Sequence, residues 1–224
     1  MHLPESESIN TGKLKAVFNN TSASYKFYWF LSILDCIEQQ KTTISKHELF
    51  ARMMANAWYT VNYFKISFGI QDKLHETICF LAKHESIDLN ESKEKIVDQL
   101  FKSKSKETKR ALFHFDANVP YKFLSPWLGT GSRKHMYEQS QMDDKLAPYA
   151  LFKNELILNE LWFKYITKNI GLIKDFCFWN LTLFLQTRNP SVPDIPNKLN
   201  RPESRGSLKK HKTKFWDIVI DAGE

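Results

Sequence analysis

Glycine is scarce in this chain, with seven residues in 224, and proline gathers mainly in two places. Few helix breakers leave long stretches free to run as helix. Cysteine is as sparse: Cys36, Cys79 and Cys177 stand far apart, each in apolar surroundings. An odd count without paired spacing argues against a disulfide framework and against a zinc cluster. Reduced, buried thiols are expected instead. No apolar run is long enough for a membrane span. The longest, FCFWNLTLFLQ, reaches about half the needed length. The opening MHLPESESIN is polar and acidic, unlike a signal peptide. Together these features lead to the expectation of a soluble, cytoplasmic protein without membrane contacts.

Catalytic signatures are missing as well. The seven histidines (2, 47, 75, 84, 114, 135 and 211) are scattered. No HExxH, CxxC or EF-hand loop occurs. His75 and His84 are nine residues apart, which does not make a shared ligand face on a helix. Glu91-x-Lys93 and Glu107-x-Lys109 have the spacing of an acid-x-lysine nuclease element. They lie in exposed helical text, however, and such triplets arise by chance in a lysine-rich chain. GTGS at 129–132 lacks the second glycine and the Lys-Ser/Thr pair of a phosphate loop. There is no GxSxG elbow. No catalytic residue, metal ligand or cofactor is expected in this chain.

Apolar residues make up 42% and aromatics 14%, enough for a substantial core. The aromatics at helical spacing are read as core, with Trp58 and Trp127 the best candidates for base stacking. The net charge is +7, and its location is informative. Lys198, Arg201, Arg205, Lys209, Lys210, Lys212 and Lys214 face a single acid, Glu203, so this strip carries +6 and the rest of the chain is nearly neutral. A concentrated cationic strip is a polyanion contact, with nucleic acid the first expectation.

Helical periodicity predicts a mainly α, multi-helix, bundle-like body. SYKFYWFLSILDCIEQQ places Phe27, Leu31 and Leu34 on one face, with Ser24 among its candidate caps. A second helix, ISKHELFARMMANAWYTVNYF, opens on Ser45-x-x-Glu48, a capping box. The turn QKTTI would join the two. IQDKLHETICFLAKHE, ESKEKIVDQLFKS and KETKRALFHF follow as amphipathic helices. PYKFLSPWLGTGSRKH reads as an ordered crossing loop and a sub-boundary near 118–135. A helix from about Asn169 to Gln186 is apolar almost all round and should be the most buried. LILN is the only short strand candidate. The expected organisation is a flexible segment over 1–17, a helical domain over 18–188, a proline-rich basic linker over 189–206 and a basic amphipathic helix over 207–224. Wound at ~100° per residue, that last segment sets Leu208, Phe215 and Val219 on one stripe and Lys209, Lys210 and Lys214 opposite.

FNNTSASYKFYWFLSILD, ELFARMMANAWYTVNYFKISFGIQDKL, PYKFLSPW and DFCFWNLTLFLQTRNPSVPDIPNKLNRPESRGSLKKHKTKFWD resemble the N-terminal, non-catalytic region of a family of bacterial HNH endonucleases. The likeness runs from about Phe18 to Trp216. It implies that a small catalytic module, with its histidine and a divalent metal, would follow where this chain stops. No His-Asn-His set follows Trp216, so no catalytic residue carries over. The resulting expectation is a helical nucleic-acid-binding accessory region that contacts DNA, or RNA, through the seven cations of the strip. The alternative is a protein-interaction or regulatory domain with no direct nucleic-acid contact, in which the strip is solvated or docks an acidic partner.

Overall fold

A computed structural model describes residues 3–19, 21–142, 144 and 146–200. It is mainly helical, with one small sheet. The centre is α2 (Tyr25–Glu38), in which every residue from Phe27 to Ile37 is buried. It packs against α3 (Lys46–Asn62), α10 (Glu160–Lys168) and α11 (Ile170–Arg188). Trp29, Phe50 and Tyr149 interlock there, with ring centroids 5.6 Å apart for Trp29–Phe50 and 6.3 Å for Trp29–Tyr149. Their polar atoms are also used. The Trp29 indole donates to the Tyr149 hydroxyl at 2.9 Å, which donates to the Pro120 carbonyl at 2.7 Å. A buried hydroxyl without such partners would carry a desolvation cost of roughly 1–3 kcal/mol.

Around this centre lie α4 (Leu74–His84), α5 (Lys93–Lys102) and α6 (Lys106–Phe113), each turning an apolar stripe onto α3. Ser92 and Ser105 cap α5 and α6 by accepting from Lys95 N and Thr108 N. The capping box expected at Ser45 does not form. Ser45 makes no side-chain cap, and Glu48 turns instead to Arg52 and Lys41, at 2.7 and 2.6 Å. Two cations at a half-buried carboxylate outcompete a backbone N–H that water can serve.

QKTTI is more than a turn: Thr43–Ser45 is β1, paired antiparallel with β3 (Glu155–Leu158). β2 (Tyr149–Leu151) pairs on the other side, giving the order β1-β3-β2. Leu156 and Leu158 point inward while Glu155 is exposed. The candidate LILN is therefore a strand, and its two partners were too short to show a two-residue period.

PYKFLSPWLGTGSRKH is not a loop. It forms α7 (Pro120–Phe123) and α8 (Ser125–Leu128), followed by α9 (Arg133–Ser140). Pro120 and Pro126 sit in the first turns, where a missing N–H costs no helical bond. Phe123, Leu124 and Trp127 join the same core as α2. Before α2, the expected flexible segment packs inward: Leu3, Ile9, Leu14 and Val17 are buried, and residues Thr11–Ala16 form α1. The polar, acidic opening masked four irregularly spaced apolar residues that the core takes in.

The helix expected to be most buried is not. α11 buries Ile173, Cys177, Leu181 and Leu185, yet Leu172, Trp179 and Leu183 are 47%, 55% and 50% exposed. An all-round apolar surface cannot indicate which side is covered; α2, with neighbours on several sides, is the buried one.

Candidate functional site

Among the seven cations of the strip, only Lys198 falls within the described residues. Arg201, Arg205, Lys209, Lys210, Lys212 and Lys214 lie outside them, as does the helix expected over 207–224. The chain reaches Lys198 along a packed path rather than a free linker. Ile195 and Leu199 are buried, and Pro196–Lys198 makes a 3-10 turn. Asn189 exchanges two hydrogen bonds with the Ser67 backbone, at 2.9 and 2.8 Å, and Thr60 donates to the Lys198 carbonyl at 3.0 Å. The Lys198 ammonium donates to the carbonyls of Pro193 and Asp194. It is therefore already engaged by its own turn.

The scattered histidines and acid-x-lysine pairs do not converge. His47 sits between the rings of Phe101 and Phe113, 5.2 and 5.7 Å away, and burial followed by the charge of Lys109 lowers its pKa. His84 stacks on Phe80 and contacts the Ser105 hydroxyl at 2.9 Å. Lys93 pairs with Asp35 at 2.7 Å rather than with Glu91. Glu107 accepts from the Ser105 hydroxyl at 2.9 Å. Among the described residues no group of three or more His, Cys, Asp and Glu is placed to hold a metal ion. No helix among them is long and apolar enough to cross a membrane. Trp58 and Trp127 are buried, so neither is a stacking platform as the fold stands.

The fold assembles a different feature. A cleft of about 680 Å³ opens between the start of α2, the turn leading into α4, α7 and the α8–α9 turn. Lys26, Lys73, Lys122 and His114 line it, with Tyr25 and Tyr121, and none of its lining residues is acidic. Asp72, which does not itself line the cleft, fixes the backbone beside it. Its two carboxylate oxygens accept from Ser24 N at 2.6 Å and Leu74 N at 2.9 Å, pinning the starts of α2 and α4 together. Burial pushes the Asp72 carboxyl up, and these hydrogen bonds oppose that shift. The opposite wall turns at Gly129, with φ 77° and ψ −154°, a conformation open essentially only to glycine.

The lysines of the cleft differ. Lys73 is neutralised by Glu76, with both carboxylate oxygens within 3.1 Å. Lys26 and Lys122 have no carboxylate partner among the described residues. Lys26 donates to the Val17 carbonyl at 3.1 Å, and Lys122 to the Asn118 side chain at 2.9 Å. Burial first, and the charge of Lys122 second, pull the Lys26 ammonium below the usual lysine range. No linear pattern announces this pair, because the two lysines are 96 positions apart and only the packing of α7 against the core brings them together.

Comparison with known proteins returns no matching family model, no matching curated protein and no matching solved structure.

Proposed function

We propose that this chain is a helical nucleic-acid-binding module that grips phosphates through its C-terminal basic strip, as the accessory region of an HNH-type endonuclease would. The observation carrying the reading is the charge distribution: +6 of the +7 lies between Lys198 and Lys214. Lysine acts as a point charge on phosphate and does not read bases, so binding tolerates many sequences. The turn at Lys198 supports a defined departure point for the strip, since Thr60, Ile195 and Leu199 anchor it to the body.

The exposed stripe of α11 adds a way to hold the strip. Leu172, Trp179 and Leu183 follow one another at intervals of seven and four, the same intervals as Leu208, Phe215 and Val219. Asn200 borders a shallow cavity with Lys174 and Phe178, on the side of α11 away from that stripe, so the chain has to pass around the helix to reach it. Seven further residues can span up to ~23 Å, about twice the diameter of a helix. Were residues 207–221 helical and seated in this way, Lys209, Lys210 and Lys214 would be on the side away from the body.

Gel-shift titration with a short duplex tests the function. Affinity should fall steeply between about 50 and 200 mM salt, as counterion release requires. Absent or salt-insensitive binding to both DNA and RNA overturns it. Disulfide trapping of a Leu183→Cys/Val219→Cys chain by mild oxidation tests the seating, with an exposed cysteine elsewhere as the control.

A further inference from the structure

A half-buried lysine that shares a cleft with a second lysine, neither of them paired with a carboxylate, is an electrostatically unfavourable arrangement. Perturbed ionisable groups in clefts cluster at functional sites. Lys26 and Lys122 are in this situation, in a cleft whose lining carries no acid. The missing charge is negative, and two ammoniums lining one cleft match the ~1.5–2 negative charges of a phosphate monoester near neutral pH. The rest of the wall suits a ring system: Tyr25, Tyr121 and Val119 offer aromatic and apolar surface, while Ser125 and Thr130 offer hydroxyls. About 680 Å³ falls within the ~300–1,000 Å³ of small-molecule sites, so the cleft suits one nucleotide and is far too small for a duplex.

We propose that this cleft binds a nucleotide, its phosphate monoester held between Lys26 and Lys122 and its base against the tyrosines of the wall. The phosphate can come from a free mononucleotide or from the 5′-phosphorylated end of a strand. No residue of the basic strip is among those lining the cleft, so the two readings are tested by different substitutions.

The test titrates the full chain with adenosine monophosphate, adenosine and inorganic phosphate at low salt, followed by isothermal calorimetry. Adenosine monophosphate should bind most tightly, inorganic phosphate more weakly and adenosine weakest. Lys122→Gln, at an exposed position on a short helix, should weaken adenosine monophosphate binding at least tenfold. Lys26→Gln should do the same, with circular dichroism checking that the loss of the Val17 contact leaves the fold intact. No binding of adenosine monophosphate up to millimolar concentration, equal binding of adenosine, or parent-like binding by Lys122→Gln would each overturn the proposal. Single-stranded oligonucleotides with 5′-phosphate and 5′-hydroxyl ends then identify the source. A phosphorylated end that binds tighter than both the hydroxyl end and adenosine monophosphate assigns the cleft to strand ends. Otherwise, positive mononucleotide binding assigns it to free nucleotides. Duplex gel shifts, which read the strip, are run alongside: their failure with the nucleotide result intact removes the nucleic-acid function and leaves this site standing.

Discussion

At the scale of single residues, two buried charges of the body are compensated by named partners. Lys46 is fully buried, yet its ammonium reaches the Lys153 carbonyl and the Asp116 carboxylate, both at 3.1 Å. Asp35 accepts from Asn56 at 2.9 Å and pairs with Lys93 at 2.7 Å. Cysteine reactivity follows from the same burial. Burial pushes the Cys36 thiol up to about 12 and the Cys177 thiol well above its ordinary value, whereas Cys79 is only half-buried. Thiolate is the reactive form. Alkylation of the native protein at pH 8, mapped by mass spectrometry, should therefore label Cys79 first, and Cys36 and Cys177 only on unfolding. Early labelling of Cys177 would contradict the packing of α11 on α2. Glu48 gives a pH signature. Burial opposes its charge, but the hydrogen bonds and charges of Lys41 and Arg52 outweigh it and hold the carboxyl below the usual glutamate range. A depressed carboxylate pKa stabilises the fold above the unfolded value of ~4.3 and loses that contribution as pH falls through the folded value. The stability gap between the parent and Glu48→Gln should thus be constant above about pH 5.5 and close below about pH 4. A gap that widens on acidification refutes the assignment.

At the scale of elements, the outcome turns on local chemistry that hydrophobic periodicity does not carry. The long helices α2, α3 and α11 were legible because they hold apolar residues at helical spacing over many turns. The three-residue strands β1 and β2 were not, because so short a run cannot display a period. The helices α7 and α8 were read as loop because proline was weighed as a breaker, although at a first turn it favours helix. The turn after α8 offers a direct check. A Cβ at Gly129 would meet nothing within 4 Å, so only backbone strain penalises a side chain there. Gly129→Ala should cost ~1–3 kcal/mol in urea unfolding. An unchanged midpoint would mean that the turn takes another shape. α11 gives a paired contrast. Leu181→Ala, at a fully buried site, should cost ~2–5 kcal/mol, and Trp179→Ser, in a chain ending at Asn200 that lacks the proposed cover, within about 0.5 kcal/mol. Equal losses would show that the Trp179 face is covered in the free chain.

At the scale of the whole molecule, a mainly helical fold was legible in the sequence, and so was the concentration of charge before the C-terminus. The cleft was not. Lys26 and Lys122 come from α2 and α7, and no local motif marks residues that meet only through the core. The basic strip remains the centre of the account, because it holds nearly all of the net charge. The most direct test compares the salt dependence of duplex binding in the parent and in a Lys209→Glu/Lys210→Glu/Lys214→Glu chain, with thermal unfolding of both. If the three lysines each neutralise a phosphate, the slope of log affinity against log salt falls in magnitude by about 3, binding is lost at moderate salt, and the melting temperature is nearly unchanged. A triple variant that binds duplex with the parent's affinity and slope would contradict the claim that this strip is the nucleic-acid contact.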